Sequence, residues 1–208
     1  MLQFITRNSD RYTIAEEVQM VMEGGCRWIQ LSSSGLADNE DSMRAAAVDI
    51  MELSREQEAF LIIEDDIDLV EELKVHGVFM HDSSRESVMT ARERLGADAV
   101  LGVGVSSAAE ALHLIGLDID YFIITCGNGC SDVVGFYADI VKKLSDANMY
   151  VHIVASGSIC QSDFTGLIKA GCSGLAVSSE ITEAEDPVGA TRRLISGLED
   201  ARREAETK

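Results

Sequence analysis

Proline and positive charge are what this sequence has least of. Its single proline is Pro187, against 17 glycines, which argues for regular elements joined by short glycine turns. Seventeen Lys and Arg stand against 36 Asp and Glu, a formal charge of −19. Such a surface repels phosphodiester backbones and anionic lipid heads, so neither nucleic acid nor a membrane is an expected partner. No apolar run approaches the ~18–20 residues of a membrane span. The start, MLQFITRNSD, turns polar early and lacks the apolar core of a signal peptide. The cysteines Cys26, Cys126, Cys130, Cys160 and Cys172 are odd in number and form no CxxC. They read as reduced thiols of a cytoplasmic protein, mostly small core residues. Hydrophobic residues, by contrast, make up 46 %, enough for a substantial core and too much for a disordered chain. Residues 1–208 suit a single domain, with no linker or low-complexity segment.

Short apolar runs recur: LQFITR (2–7), RWIQLSS (27–33), AFLIIED (59–65), GVFMHD (77–82), AVLGVGV (99–105), YFIIT (121–125), YVHIVAS (150–156) and GLAVSS (174–179). Runs this short and apolar suit strands buried on both faces, as in parallel sheets. Charged stretches with helical spacing lie between them, such as TIAEEVQMVMEGG and FYADIVKKLSDAN. Thr13, Ser107 and Asp186 are placed as helix caps, with Pro187 fit for a first helical turn. Gly24–Gly25, Gly77, Gly96, Gly171 and Gly174 end helices or open strands. Eight strand–helix units of similar length predict an α/β fold, a single closed (β/α)8 barrel. An open doubly wound sheet is the alternative, but no G-x-G-x-x-G follows the first strand. The charged end LEDARREAETK is expected to fray.

In such a barrel, function gathers where the strands end. Those ends bring forward Gln30, Ser32 and Ser34, then Glu64, Asp65 and Asp66, then His81 and Asp82. Ser106 follows strand five, and Thr125-Cys126-Gly127-Asn128 ends strand six. After the last two strands come Gly157, Ser158, Ser178 and Ser179, a candidate phosphate cradle. Small residues there let a phosphate approach backbone N–H groups, although the same residues also make tight rim turns. Asp65 and Asp82 are candidate Mg²⁺ ligands, bridging the ion to substrate phosphates; Asp66 and Asp68 fit a helix start instead. His81 is a candidate acid–base group, whereas His76, His113 and His152 read as structural. Gln30, polar on an apolar strand, needs either a ligand or an interior network. Cys126 and Cys130 have no local base to activate a thiolate, and Trp28 and Phe79 read as packing.

Several segments, taken in order, resemble the thiamine phosphate synthase family and its TenI-type thiazole tautomerase branch. VMEGGCRWIQLSSSG is similar to a helix ending in Gly-Gly before a strand Val-Gln-Leu-Arg-x-Lys. LIIEDDIDLVEELKVHGVFMHDSS resembles Leu-Ile-Ile-Asn-Asp-Arg-Val-Asp-Leu-Ala and the following Gly-Val-His-Leu-Gly-Gln-x-Asp. LGVGVSSAAEA, VASGSI and GLAVSSEITEAEDPVGA resemble the fifth strand and the two phosphate segments of that family. The resemblance implies the joining of an aminopyrimidine diphosphate to a thiazole phosphate in thiamine biosynthesis, with Mg²⁺ and release of pyrophosphate. It implies ligand contacts at Gln30 and Ser179; the strand ends themselves make Gln30, Ser32, Ser34, Glu64, Ser106 and Thr125 the candidate substrate contacts.

The departures from that pattern are specific. The family's strand-two Arg and Lys fall at Ser32 and Ser34. Its Asn before the metal Asp is Glu64, while that Asp is kept as Asp65. Its second metal Asp falls at Ser84, with Asp82 two residues away. Its Lys-bearing loop after strand six is CGNGCSD. Charge-assisted contacts to phosphate are worth ~1.5–3 kcal/mol each, so the loss of three cations implies impaired synthase activity. The expected protein is a divergent synthase-like transferase that binds a small phosphorylated heterocycle, either alone or as a homo-oligomer. The alternatives are a tautomerase with His81 as its proton carrier and a non-catalytic phosphate-ligand-binding barrel.

Overall fold

The eight expected strands all form, and in sequence order they close on themselves. The computed structural model describes every residue except 8, 10, 35, 37–39, 128 and 208, and leaves out the side chains of residues 40 and 56. The strands are β1 (Leu2–Ile5), β2 (Trp28–Leu31), β3 (Phe60–Glu64), β4 (Gly77–Met80), β5 (Val100–Val105), β6 (Tyr121–Cys126), β7 (His152–Gly157) and β8 (Gly174–Val177). Each pairs in parallel with its sequence neighbours, and β1 pairs with β8, for example Gln3 with Ala176, to complete the barrel. The helices are α1 (Ile14–Glu23), α2 (Glu40–Gln57), α3 (Ile67–Leu73), α4 (Arg85–Leu95), α5 (Ala108–His113), α6 (Val133–Asp146), α7 (Phe164–Ala170), α8 (Ser179–Thr182) and α9 (Pro187–Glu206). The fold is therefore a single (β/α)8 barrel, with α8 as a short extra helix after the last strand.

Strand alternation explains why both faces read as apolar. Leu61, Ile63, Leu101, Val103 and Phe122 belong to the large core beneath the helices. Ile62, Phe79, Tyr121, Ile123, Val154 and Ala176 form a second, smaller cluster. Each large apolar side chain so buried contributes ~1.5–3 kcal/mol. Gly102 makes room for the Tyr121 ring, since a Cβ there would lie 2.3 Å from Tyr121 Cζ. The hydroxyl of fully buried Tyr137 lies 2.7 Å from Ile124 O and 2.8 Å from Ser156 O, and it accepts from Ser156 N at 3.1 Å. That contact fixes the ends of β6 and β7 beside each other.

The caps form as expected. Thr13 and Glu16 close a capping box, Ser107 caps α5, and Asp186 accepts from Gly189 N at 2.9 Å ahead of Pro187. Asp66 accepts from Leu69 N at 2.8 Å and starts α3. Such caps are worth ~1 kcal/mol apiece. The charged end LEDARREAETK differs from expectation. It stays helical to Glu206, and Leu198 and Ala201 on that helix are buried, so packing rather than charge decides its state.

Candidate functional site

At the ends of β2, β3 and β4 lies a connected polar network. Glu64, buried at the end of β3, accepts from Gln30 Nε2 at 2.9 Å, Ser32 Oγ at 2.5 Å and Ser33 N at 3.1 Å. Gln30 is oriented in turn by Gln3, whose Nε2 donates to Gln30 Oε1 at 2.7 Å and lies 3.1 Å from Tyr121 Oη. Gln30 thus finds its partner in an interior network. Ser34, which is exposed, takes part through its backbone, donating to Ser32 Oγ at 3.1 Å.

Asp65 has φ +54°, a left-handed conformation that Asp adopts more readily than most residues. Its carboxylate accepts from His81 N at 2.8 Å and stands 2.8 Å from His81 Nδ1. The other ring nitrogen of His81, Nε2, is 3.5 Å from Glu64 Oε1. The ring also meets Phe79 edge-on at 5.1 Å. Asp82 lies outside this network. It accepts from Ser84 N at 2.8 Å, Ser84 Oγ at 3.1 Å and Ser87 Oγ at 2.5 Å. These bonds, from Ser87 first, hold its carboxyl below the ordinary value. Asp82 thereby reinforces the start of α4, where Ser84 is the cap.

A cleft of about 440 Å³ opens at this mouth. Gln30, Ser32, Glu64, His81, Ser106 and Thr125 line it, so six of the expected site residues come together. Ile5, Phe79, Val105 and Ile123 give it an apolar lining, and Glu110 and Ser156 complete the polar part. Glu110 of α5 was not foreseen as a site residue. It accepts from Ser83 Oγ at 2.6 Å and from Ser106 N and Oγ, both at 2.8 Å. Those donors, Ser83 foremost, hold its carboxyl below the ordinary value. The signal available in the sequence was its position four residues after a strand-end serine.

Gly157, Ser158, Ser178 and Ser179 stand outside the lining of that cleft. They occupy the adjoining rim, where the register Ser156 with Ala176 sets the end of β7 beside the end of β8. Gly157 has φ +106°, and a Cβ on it would sit 2.3 Å from Cys126 O, so only glycine fits without strain. Ser178 N donates to Glu180 Oε2 at 3.1 Å, and Ser178 Oγ is buried without a partner. Arg7 and Arg11 reach this side of the mouth. Arg7 Nη1 is 3.1 Å from Glu183 Oε1, and Arg11 Nη1 donates to Thr182 O at 3.3 Å and Ala184 O at 3.1 Å.

The remaining expectations concern thiols, histidines, aromatics and metal. Burial and the neighbouring Cys130 thiol push Cys126 up to about 11, which leaves it unreactive at neutral pH. Asn128 lies outside the described residues. His76 Nδ1 accepts from Leu61 N at 3.0 Å, and His152 meets Ser173 Oγ at 3.0 Å; both serve structure. Trp28 stacks on Phe60, whereas Phe79 lines the cleft as well as packing. Among the described residues no group of three His, Cys, Asp or Glu side chains is placed to hold a metal ion. Carboxylate oxygens are nevertheless the right donors for Mg²⁺, which takes one or two of them together with substrate phosphates. Asp65, half exposed beside the cleft, fits that mode.

Residues 2–181 match the family model described as thiamine monophosphate synthase. This chain belongs to the thiamine monophosphate synthase family. It is 32 % identical over 203 residues to the thiamine-phosphate synthase of Bacteroides thetaiotaomicron, covering 94 % of this chain and 96 % of that one. It is 31 % identical over 204 residues to the Bacteroides fragilis protein of the same name, covering 94 % and 98 %. The fold matches a solved thiamine phosphate pyrophosphorylase from Pyrococcus furiosus with TM-score 0.79, at 24 % identity and 96 % coverage of both chains. Against the family pattern, Ser32 and Ser34 stand where the resemblance puts cations, and Ser32 is spent on Glu64. Among the described residues no helix is long and apolar enough to cross a membrane.

Proposed function

We propose that this family member binds a small phosphorylated heterocycle at the barrel mouth and is a poor thiamine phosphate synthase. One observation carries the reading: among the described residues, those lining the cleft include Glu64, Glu110 and His81 and no Lys or Arg. A departing diphosphate develops negative charge that preorganised cations must stabilise, and losing one such donor typically costs ~10²–10³ in rate. Glu64 adds a carboxylate where a diphosphate would need the opposite charge.

The phosphate belongs on the β7–β8 rim. Gly157 keeps that rim open to backbone N–H groups, and Ser158, Ser178 and Ser179 supply hydroxyls and amides. Ser178 N already donates to an anionic oxygen, that of the Glu180 carboxylate, which supports its use as an anion donor. The ring of the ligand lies over Phe79, Ile5 and Ile123, with Gln30, Ser106 and Thr125 as its polar neighbours. For whatever synthase chemistry persists, Asp65 would hold Mg²⁺ together with substrate phosphates, an ion that neutralises charge on a leaving pyrophosphate when bound, whereas Asp82 is taken up at the head of α4.

A second reading, a tautomerase, is favoured by the His81 geometry. Its Nδ1 is anchored by Asp65 at 2.8 Å, which leaves Nε2 at the cleft to move a proton. The test is purified protein with both synthase substrates and Mg²⁺, beside the Bacteroides thetaiotaomicron enzyme. Negligible turnover is expected. Turnover within about tenfold of the control, roughly 1.4 kcal/mol in barrier, overturns the reading.

A further inference from the structure

The starts of the strands, at the opposite end of the barrel from the cleft, enclose a cavity of their own. Its volume is about 530 Å³, within the range of small-molecule sites. Trp28 opens β2, Val100 opens β5, Tyr121 opens β6 and His152 opens β7, while Cys172 and Ser173 come immediately before β8. The cavity therefore lies across the N-terminal mouth, and it shares no lining residue with the cleft.

Its walls are aromatic and apolar. Trp28 stacks on Phe60 with ring centroids 5.3 Å apart and meets Tyr121 edge-on at 5.8 Å. Tyr121 is buried and held from inside the barrel by Gln3, whose Nε2 lies 3.1 Å from its hydroxyl. Burial pushes the Cys172 thiol up to about 12, which makes it an inert part of the wall. Rings fixed in this way form a ready surface for a flat apolar molecule.

The charged groups at the edge of the cavity are Asp120, His152 and Arg202, and their partners decide which charge is left over. Asp120 is already committed, since its Oδ2 accepts from Arg92 Nη2 at 2.7 Å and from Leu101 N at 2.8 Å. His152 Nδ1 meets Ser173 Oγ at 3.0 Å. Arg202, on α9, donates through Nη2 to Ser173 O at 2.8 Å. That bond uses one donor of a guanidinium that has several. The arginines that form ion pairs among the described residues are Arg7, Arg44, Arg92, Arg94 and Arg203, so Arg202 has no carboxylate partner there. Salt screens the chain's overall negative charge beyond about 10 Å, whereas Arg202 acts at contact. A planar guanidinium matches a carboxylate through two parallel hydrogen bonds.

We propose that the N-terminal mouth is a second ligand site, for a small hydrophobic carboxylate whose flat body lies against Trp28 and Tyr121 and whose anion pairs with Arg202.

The test is calorimetric titration of the wild-type chain with naphthalene-2-carboxylate and with its neutral carboxamide, probes of nearly the same shape. The carboxylate is expected to bind saturably, at least about tenfold more tightly than the carboxamide. Arg202→Gln changes an exposed side chain and is expected to bring the two probes within about threefold of each other. Thiazole phosphate, whose proposed seat is at the other mouth, is expected to leave carboxylate binding unchanged. Equal or tighter binding of the carboxamide overturns the inference, and so does the absence of binding by either probe. A preference that survives intact in Arg202→Gln overturns it as well, because the charge would then be read elsewhere. Displacement by thiazole phosphate would place the probe in the cleft and overturn it. Self-association that excludes the probe has the same force, since a second copy of the chain would then cover the mouth.

Discussion

The two sides of the barrel mouth are built from opposite materials. On the β2–β4 side Glu64, Asp65 and Asp82 are each held by named donors: Gln30, Ser32 and Ser33; His81; Ser84 and Ser87. On the β7–β8 side the rim is glycine and serine, and Ser178 Oγ is buried with no partner. The nearby cations Arg7 and Arg11 also lie on this second side, against α8 and the residues after it. A site whose charges are already bound up locally has little left for an anion; one shaped by missing side chains leaves backbone groups for it. On the function proposed here, the difference would let one barrel keep the phosphate end of a family site and lose the diphosphate end.

The largest expected effect comes from filling the open side. Gly157→Ala forces an L residue to φ +106° and drives a Cβ into Cys126 O. It should cost about 2–4 kcal/mol in denaturant unfolding. Gly96→Ala is the control, since its φ is +76° but nothing lies within 4 Å. That variant should lose only about 1–2 kcal/mol. Equal losses would mean that crowding at Gly157 plays no part.

Charge changes at the same rim should be smaller and of opposite sign. Ser179→Asp places a carboxylate beside the cradle and should weaken thiazole phosphate binding by about tenfold or more. Glu180→Gln removes the carboxylate that occupies Ser178 N and should strengthen it by roughly threefold. Titration of both variants against wild type checks the pair; the same direction for both would break the comparison. The smallest effect lies on the self-satisfied side. Glu110 is held below its ordinary value by Ser83 and Ser106. Its contribution is present above the ordinary carboxylate pKa and is lost as pH falls through the depressed one. Glu110→Gln should therefore lose less stability than wild type between neutral and acid pH, as followed by urea unfolding at each pH.

The barrel was legible because its signal repeats: eight apolar runs, each bounded by caps such as Thr13 and Asp186, leave little choice of topology. The positions of Gln30, Glu64, His81 and Thr125 followed from their being at strand ends. Their partners did not. Gln3 and Tyr121 sit on strands that read simply as apolar; Gln3 meets Gln30 across the paired strands β1 and β2, and Tyr121 meets Gln3 only because closure of the barrel brings β1 and β6 together across its interior. Glu110 belongs to a helix start, a place where acidic residues are common for local reasons, and that commoner reading hid its turn back onto Ser106 and Ser83. Asp82 shows the reverse. Its spacing near Asp65 suggested shared work, while its bonds run to Ser84 and Ser87 at the head of α4.

The contrast between the two sides is tested most directly by titrating the wild-type protein with thiazole phosphate and with inorganic pyrophosphate, each in the presence of Mg²⁺. Saturable binding of thiazole phosphate, with pyrophosphate weaker by at least about tenfold, is the expected result. Pyrophosphate binding as tight as thiazole phosphate, or tighter, would contradict it and place the missing positive charge elsewhere in the mouth.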